Sequence, residues 1–141
     1  MTSLAPFALA LLRIVAGALL LQHGLVKLIG FPEGAAPGMI PFDSVMQWQM
    51  PFAQLWIGAV IETVTGVLLI VGLFTRFAAF LASGLAAVAF WQFHFLKAGV
   101  IYPAANGGEP VVLFCFIFFY ILFAGAGAVS IDEVFFADGK K

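Results

Sequence analysis

The sequence predicts an all-α membrane protein: a bundle of four transmembrane helices with a short interfacial helix in the first outer loop. Three observations predict it. First, hydrophobic residues make up 64% of the 141-residue chain and charged residues only 9%, with a mean hydropathy of +1.14. A soluble domain carries about 25% charged residues, and a globule this small has too little interior to hide so much apolar side chain. Second, four stretches approach the roughly 20 apolar residues that a spanning helix needs. Third, the few polar residues inside the first three stretches recur at helical spacing, so each of those helices has one polar stripe.

The same counts exclude other classes. Disordered chains are rich in charge and poor in aromatics, whereas aromatic residues are 16% here. Six Lys+Arg against seven Asp+Glu, net charge −1, leave no basic stripe, so nucleic acid is not an expected partner. A single Cys rules out an internal disulfide, a thiol redox pair and a cysteine metal cluster. No metal site is expected.

The spans fall at about 7–29, 53–73, 77–97 and 111–129, in a single membrane domain of residues 1–141. Gly30-Phe31-Pro32-Glu33-Gly34 ends the first span, and Met50-Pro51 opens the second. Thr75-Arg76 makes a tight hairpin to the third span. Tyr102-Pro103 and Asn106-Gly107-Gly108-Glu109-Pro110 separate the third from the fourth, and Pro110 suits the first turn of a helix, where a missing N–H costs nothing. The first span lacks the basic leader of a signal peptide and carries Arg13, Gln22 and His23, so it reads as a true span. In the first outer loop, Asp43 is placed to cap a helix over 44–50 that Pro51 stops. It is expected to lie in the headgroup layer, with Trp48, Trp56 and Trp91 in the outer aromatic belt. The cytoplasmic tail, 130–141, is polar and expected to fray.

Orientation follows the Lys/Arg bias. With both termini cytoplasmic, Arg76, Lys140 and Lys141 lie inside, and Lys27 and Lys97 outside. The predicted topology is therefore multi-pass, with the segments outside the first and last spans both on the cytoplasmic side. Gln22-His23-Gly24-Leu25-Val26-Lys27 and Gln92-Phe93-His94-Phe95-Leu96-Lys97 end the first and third spans, a hint of a two-plus-two repeat.

An ionisable residue within a span costs about 2.5–3.5 kcal/mol and needs a partner or a wet cavity. At 100° per residue, His23, Lys27, Arg13, Gly24 and Gly17 share an arc of the first helix. Gln54, Gly58, Glu62, Thr65, Gly66 and Gly72 share one on the second. Ser83, Ala87, Phe90, His94 and Lys97 share one on the third, with Gln92 pointing elsewhere. The fourth span is nearly all apolar. These stripes converge on an interior polar site in the outer half of the bundle. Glu62, His23 and His94 are the candidates for proton handling. Lys27, Arg13, Phe90, Trp91, Asn106 and Glu109 are the candidates for ligand binding.

Plainer roles compete. Arg13 can snorkel to the inner interface. Lys27 and Lys97 stand where interfacial anchors stand. The two His residues can serve only as bonds between helices. Glu62 is the hardest to explain away, because a mid-bilayer carboxyl must be neutral or paired with a cation.

These residues, in this order and spacing, resemble the DoxX family of small four-helix membrane proteins. The resemblance runs over about 10–132. It includes Arg13 and Gly17, then His23-Gly24 with Lys27, and Glu62 and Gly66 running on to Gly72-Leu73-Phe74-Thr75-Arg76. It continues through His94, Asn106-Gly107-Gly108-Glu109, Gly125-Ala126-Gly127 and Ser130-Ile131-Asp132. The chain departs at Ala128-Val129, where relatives often carry a basic residue and an aromatic. The resemblance implies an inner-membrane bundle associated with quinone-linked redox systems and oxidative-stress complexes.

A quinone needs an apolar slot, hydrogen bonds to its carbonyls and a proton path. Phe90, Trp91 and Phe95 offer walls, His23 and His94 offer hydrogen bonds, and Glu62 can pass a proton. The expected cofactor is thus a quinone. Haem held by His23 and His94 is disfavoured, because their depths differ by about 5 Å. With no flavin fingerprint or iron–sulfur ligand set in the sequence, electrons would come from a protein partner. The expected role is a quinone-linked or oxidative-stress accessory subunit, a membrane oxidoreductase subunit if it acts in catalysis. The lipid bilayer and a protein partner or homo-oligomer are its expected surroundings. The alternatives are a non-catalytic scaffold or assembly factor for a larger complex, and an oligomeric transporter of small solutes.

Overall fold

The structure, a computed structural model, describes residues 4–31, 40–47 and 52–136. Its regular elements are helices: α1 (Ala5–Ile29), α2 (Phe42–Met46) and α3 (Phe52–Val71), α4 (Thr75–Ala98), then α5 (Pro103–Asn106), α6 (Glu109–Ala124) and α7 (Ile131–Phe136). There is no strand among the described residues. Three helices, α1, α3 and α4, are long and apolar enough to cross a membrane. The fourth apolar helix, α6, has 16 residues. Trp48, Met50 and Pro51 of the expected loop helix, the turn residues Pro32, Glu33 and Gly34, and the tail 137–141 lie outside the described residues.

Two close-packed helix pairs build the fold. The first is α1 on α3, and the second is α4 on α6. Glycine makes the first pair possible. A Cβ on Gly17 would sit 3.0 Å from the Gly66 carbonyl oxygen. One on Gly24 would sit 2.8 Å from the Ala59 carbonyl oxygen and run into the Thr63 hydroxyl. The two backbones therefore touch, antiparallel, along one seam of small residues, which is how helices associate where lipid removes the hydrophobic drive. In the second pair, Ala78, Ala79, Ala82 and Ala86 of α4 give room to Phe118 and Ile121 of α6, and the Ser83 hydroxyl donates to the Cys115 carbonyl at 2.9 Å.

The apolar core joins both pairs around Ala16, Leu20, Leu69, Ala82, Phe118 and Ile121. These residues fill the half of the bundle toward Arg13. The other half, toward Lys27, is open inside.

At the Arg13 end the chain is knotted together by groups that sequence patterning alone did not connect. Gly72, at φ 71°, ends α3, and Phe74, at φ 48°, turns the chain into α4. Asp132 closes this corner. Its Oδ1 accepts from the Phe74 amide and its Oδ2 from the Thr75 amide, each at 2.8 Å. Its own amide donates to the Gly72 carbonyl at 2.8 Å. A carboxylate at the start of α4 meets the positive end of the helix dipole and two orphan N–H groups. Ser130 caps α7 by accepting from the Glu133 amide at 3.1 Å. Residues 130–136 are thus not the frayed tail expected from their polarity. They form a cap and a helix, because Asp132 has α4 to bind.

Candidate functional site

A cavity of about 570 Å³ lies between the two helix pairs. It is bounded by α1, α3, α4 and α6. Leu20, His23 and Lys27 come from α1; Gln54, Gly58 and Glu62 from α3; Leu85, Gln92, Phe93 and His94 from α4; Val111 and Phe114 from α6. Most of the wall is apolar, and the cavity is partly open rather than sealed. That size and lining match a site for a small amphipathic molecule.

Of the expected site residues, the structure brings His23, Lys27, Glu62 and His94 to this one cavity. The central contact is an ion pair. Lys27 Nζ donates to both carboxylate oxygens of Glu62, each at 2.7 Å. The side chains keep only 21% and 13% exposure. Lys27 is therefore more than an interfacial anchor: it is the cation that the Glu62 carboxylate requires. Its register follows from the glycine seam, which brings α1 and α3 close enough for the two side chains to meet.

The imidazoles differ. His94 Nδ1 lies 3.1 Å from the backbone carbonyl of Asn106. That oxygen can only accept, so Nδ1 carries the proton. Phe90 stacks on the His94 ring, with centroids 6.4 Å apart and planes at 16°. His23 meets Phe114 edge-on, at 6.0 Å and 88°. Among the described residues it has no hydrogen bond to another helix, so it is not the interhelical bond that its plainer reading supposed.

The other expected contributors lie elsewhere. Arg13 is fully buried at the opposite end of α1. Its Nη2 donates to the Val129 carbonyl at 2.9 Å, and it packs against Gly72, where a Cβ would collide with Nη1. It neither snorkels nor reaches Glu62, and it does not line the cavity. Phe90 backs the site rather than walling it. Trp91 is half exposed and packs edge-on against Phe95, at 5.0 Å. Asn106 acts through its carbonyl on His94, Glu109 is exposed at the start of α6, and Lys97 is exposed.

One local feature bears on the residues of α4. Phe90–Phe95 is a π-helical turn within α4. Its i→i+5 bonding takes up an extra residue, so the 100° rule fails beyond Ala89. Gln92, expected to point away, is rotated onto the cavity, where its side chain pairs with Gln54 of α3. Phe93 and Phe114 take the wall positions expected of Phe90, Trp91 and Phe95. The signal for it in the sequence is the bulky run Phe90-Trp91-Gln92-Phe93-His94-Phe95, which crowds an ordinary α-turn on every side.

Comparison with known proteins agrees with this architecture. The DoxX family model matches residues 8–95, which hold both halves of the ion pair and His94. An uncharacterized protein of Haemophilus influenzae is 39% identical over 132 residues, covering 93% of this chain and 92% of that protein. No solved structure matches. A family match over more than half the chain, with a relative aligned almost end to end, means that this chain belongs to the DoxX family.

Proposed function

We propose that this protein is a multi-pass inner-membrane accessory subunit whose cavity holds the head of a quinone, in a quinone-linked or oxidative-stress redox system. All four apolar helices cross the bilayer in this reading. The 16 residues of α6 rise about 24 Å, slightly under the hydrocarbon thickness, a mismatch that local thinning absorbs. α2 lies in the headgroup layer, and both termini face the cytoplasm. Electrons come from a partner protein, since the sequence carries no flavin fingerprint and one Cys.

The observation that carries the reading is the cavity itself. A mostly apolar, partly open space of about 570 Å³ contains an ion pair and two imidazoles. An apolar ring is held by the walls, and its oxygens meet the polar groups. His23, with no hydrogen-bond partner among the described residues, and the Lys27–Glu62 pair can relay protons to a reduced head.

The test uses a filled cavity. Gly58 faces the space, and the nearest atom to an added Cβ is Leu85 Cδ1 at 3.7 Å. Gly58→Leu therefore extends into the void without striking backbone. Decylubiquinone should raise the melting temperature of the wild-type protein in detergent, by the equivalent of about 2.7 kcal/mol at a hundredfold excess over Kd. It should leave Gly58→Leu unmoved. No shift in wild type, or the same shift in both, refutes the reading.

A further inference from the structure

We infer that His94 is a fixed hydrogen-bond acceptor that makes the cavity select ligands bearing a ring hydroxyl over otherwise similar ligands bearing only carbonyl or ether oxygens. This rests on the reading of the cavity as a ligand site and goes beyond it.

The inference starts at Gly108. A Cβ there would lie 2.7 Å from Asn106 Oδ1 and 2.8 Å from Phe90 Cε2. Only glycine lets the loop between α5 and α6 close over Phe90. Once closed, the loop is pinned from both ends of one side chain. Asn106 Oδ1 accepts from the Gly108 amide at 2.8 Å, and Asn106 Nδ2 donates to the Val100 carbonyl at 2.8 Å. The Asn106 backbone carbonyl is thereby held 3.1 Å from His94 Nδ1. Phe90, stacked on the imidazole, fixes the plane of the ring.

A carbonyl oxygen has no proton to give, so the hydrogen of the neutral ring is committed to Nδ1. Nε2 is left with a lone pair. It has no hydrogen-bond partner among the described residues, on a ring that lines the cavity. The remaining polar atoms of the cavity are less selective. The Lys27 ammonium offers its third N–H to any oxygen, and the Gln54–Gln92 pair can give or accept. His23, with no hydrogen-bond partner among the described residues, can turn either ring nitrogen to a ligand, and Glu62, though acceptor-only, already has both oxygens accepting from Lys27. His94 Nε2 is the acceptor held in place without a donor. A ligand oxygen without hydrogen leaves that lone pair facing another lone pair. A hydroxyl satisfies both. His94 is thus a specificity-determining residue, and Asn106 is the residue that positions it.

The experiment compares 1-naphthol with 1-methoxynaphthalene, which keeps the ring and the acceptor oxygen and removes only the hydrogen. Binding is measured on the full-length protein in lipid nanodiscs, with empty nanodiscs subtracted. 1-Naphthol should bind about tenfold more tightly, the effect of one hydrogen bond in a desolvated site. His94→Phe should bring the ratio to about one, with methoxynaphthalene affinity little changed. Asn106→Ala should shrink the ratio without moving that affinity. Selective ¹⁵N labelling of histidine should show His94 protonated at Nδ1 and bare at Nε2, a readout that does not depend on any variant folding. Equal binding of the two compounds, a ratio that survives His94→Phe, or a bare Nδ1 overturns the inference while leaving the cavity a ligand site. Binding of neither compound overturns both.

Discussion

Removing Lys27 should destabilise the protein far more than removing a surface lysine, and removing Glu62 as well should restore much of the loss. The two side chains are 21% and 13% exposed, with Lys27 Nζ 2.7 Å from Glu62 Oε1. An exposed ion pair contributes about 0–1 kcal/mol. Breaking a buried one by deleting a single partner costs about 3–5 kcal/mol, because the charge left behind has lost its solvent and its partner. At these exposures the pair lies near the buried limit, but the open cavity admits some solvent. Lys27→Met and Glu62→Gln alone should therefore each cost about 2–3 kcal/mol. The double variant leaves no stranded charge and should cost only about 1–2 kcal/mol. The coupling between the sites is then about 3–4 kcal/mol. Reversible unfolding of the four proteins in detergent micelles measures it. Additivity within about 0.5 kcal/mol would mean that the pair is not a coupled unit, and a neutral Lys27→Met would return Lys27 to the role of a membrane anchor. The same cycle governs ligand experiments: Glu62→Gln strands the Lys27 ammonium, so its ligand-induced shifts must be read against its own lowered baseline.

Two further outcomes test the frame around the cavity. Gly66→Val should cost about 1–3 kcal/mol, since even its Cβ would sit 2.8 Å from the Leu21 amide nitrogen and 2.9 Å from the Gly17 carbonyl oxygen. Gly84→Ala, with nothing within 4 Å of its new Cβ, should instead be neutral or stabilising by up to about 1 kcal/mol; equal thermal shifts for the two would refute backbone contact between α1 and α3. Asp132→Ala should cost about 2 kcal/mol through two lost charge-assisted hydrogen bonds and speed hydrogen exchange at the Phe74 and Thr75 amides. Unchanged exchange there would show that the carboxylate does not hold the corner.

Much of this was legible in the sequence, and for definite reasons. Apolar content and the length of apolar runs follow from composition, so the membrane class and the long helices could be read directly. The polar stripe on each of the first three of these helices is a local property of spacing, and it pointed correctly to His23, Glu62 and His94 on inward faces. What depends on registry between helices was not legible. Lys27 looked like an anchor until the glycine seam set α1 against α3 at a height where its ammonium meets Glu62. Arg13 occupies the same arc of α1 as His23, yet its depth gives it to Val129 rather than to the cavity. The 100° rule mistook the direction of Gln92, because a π-helical turn changes the angle per residue. Asp132 read as part of a polar tail, because its partners lie 57 and 58 positions earlier in the chain. By itself, then, the sequence determined which solvent the chain lives in and which side chains are too costly to leave in lipid. Only the tertiary structure decided which of those side chains satisfy one another. Periodicity is set within a helix, whereas partnership is set by how far each helix slides along its neighbour, and here contacts between glycine-lined backbones decide that.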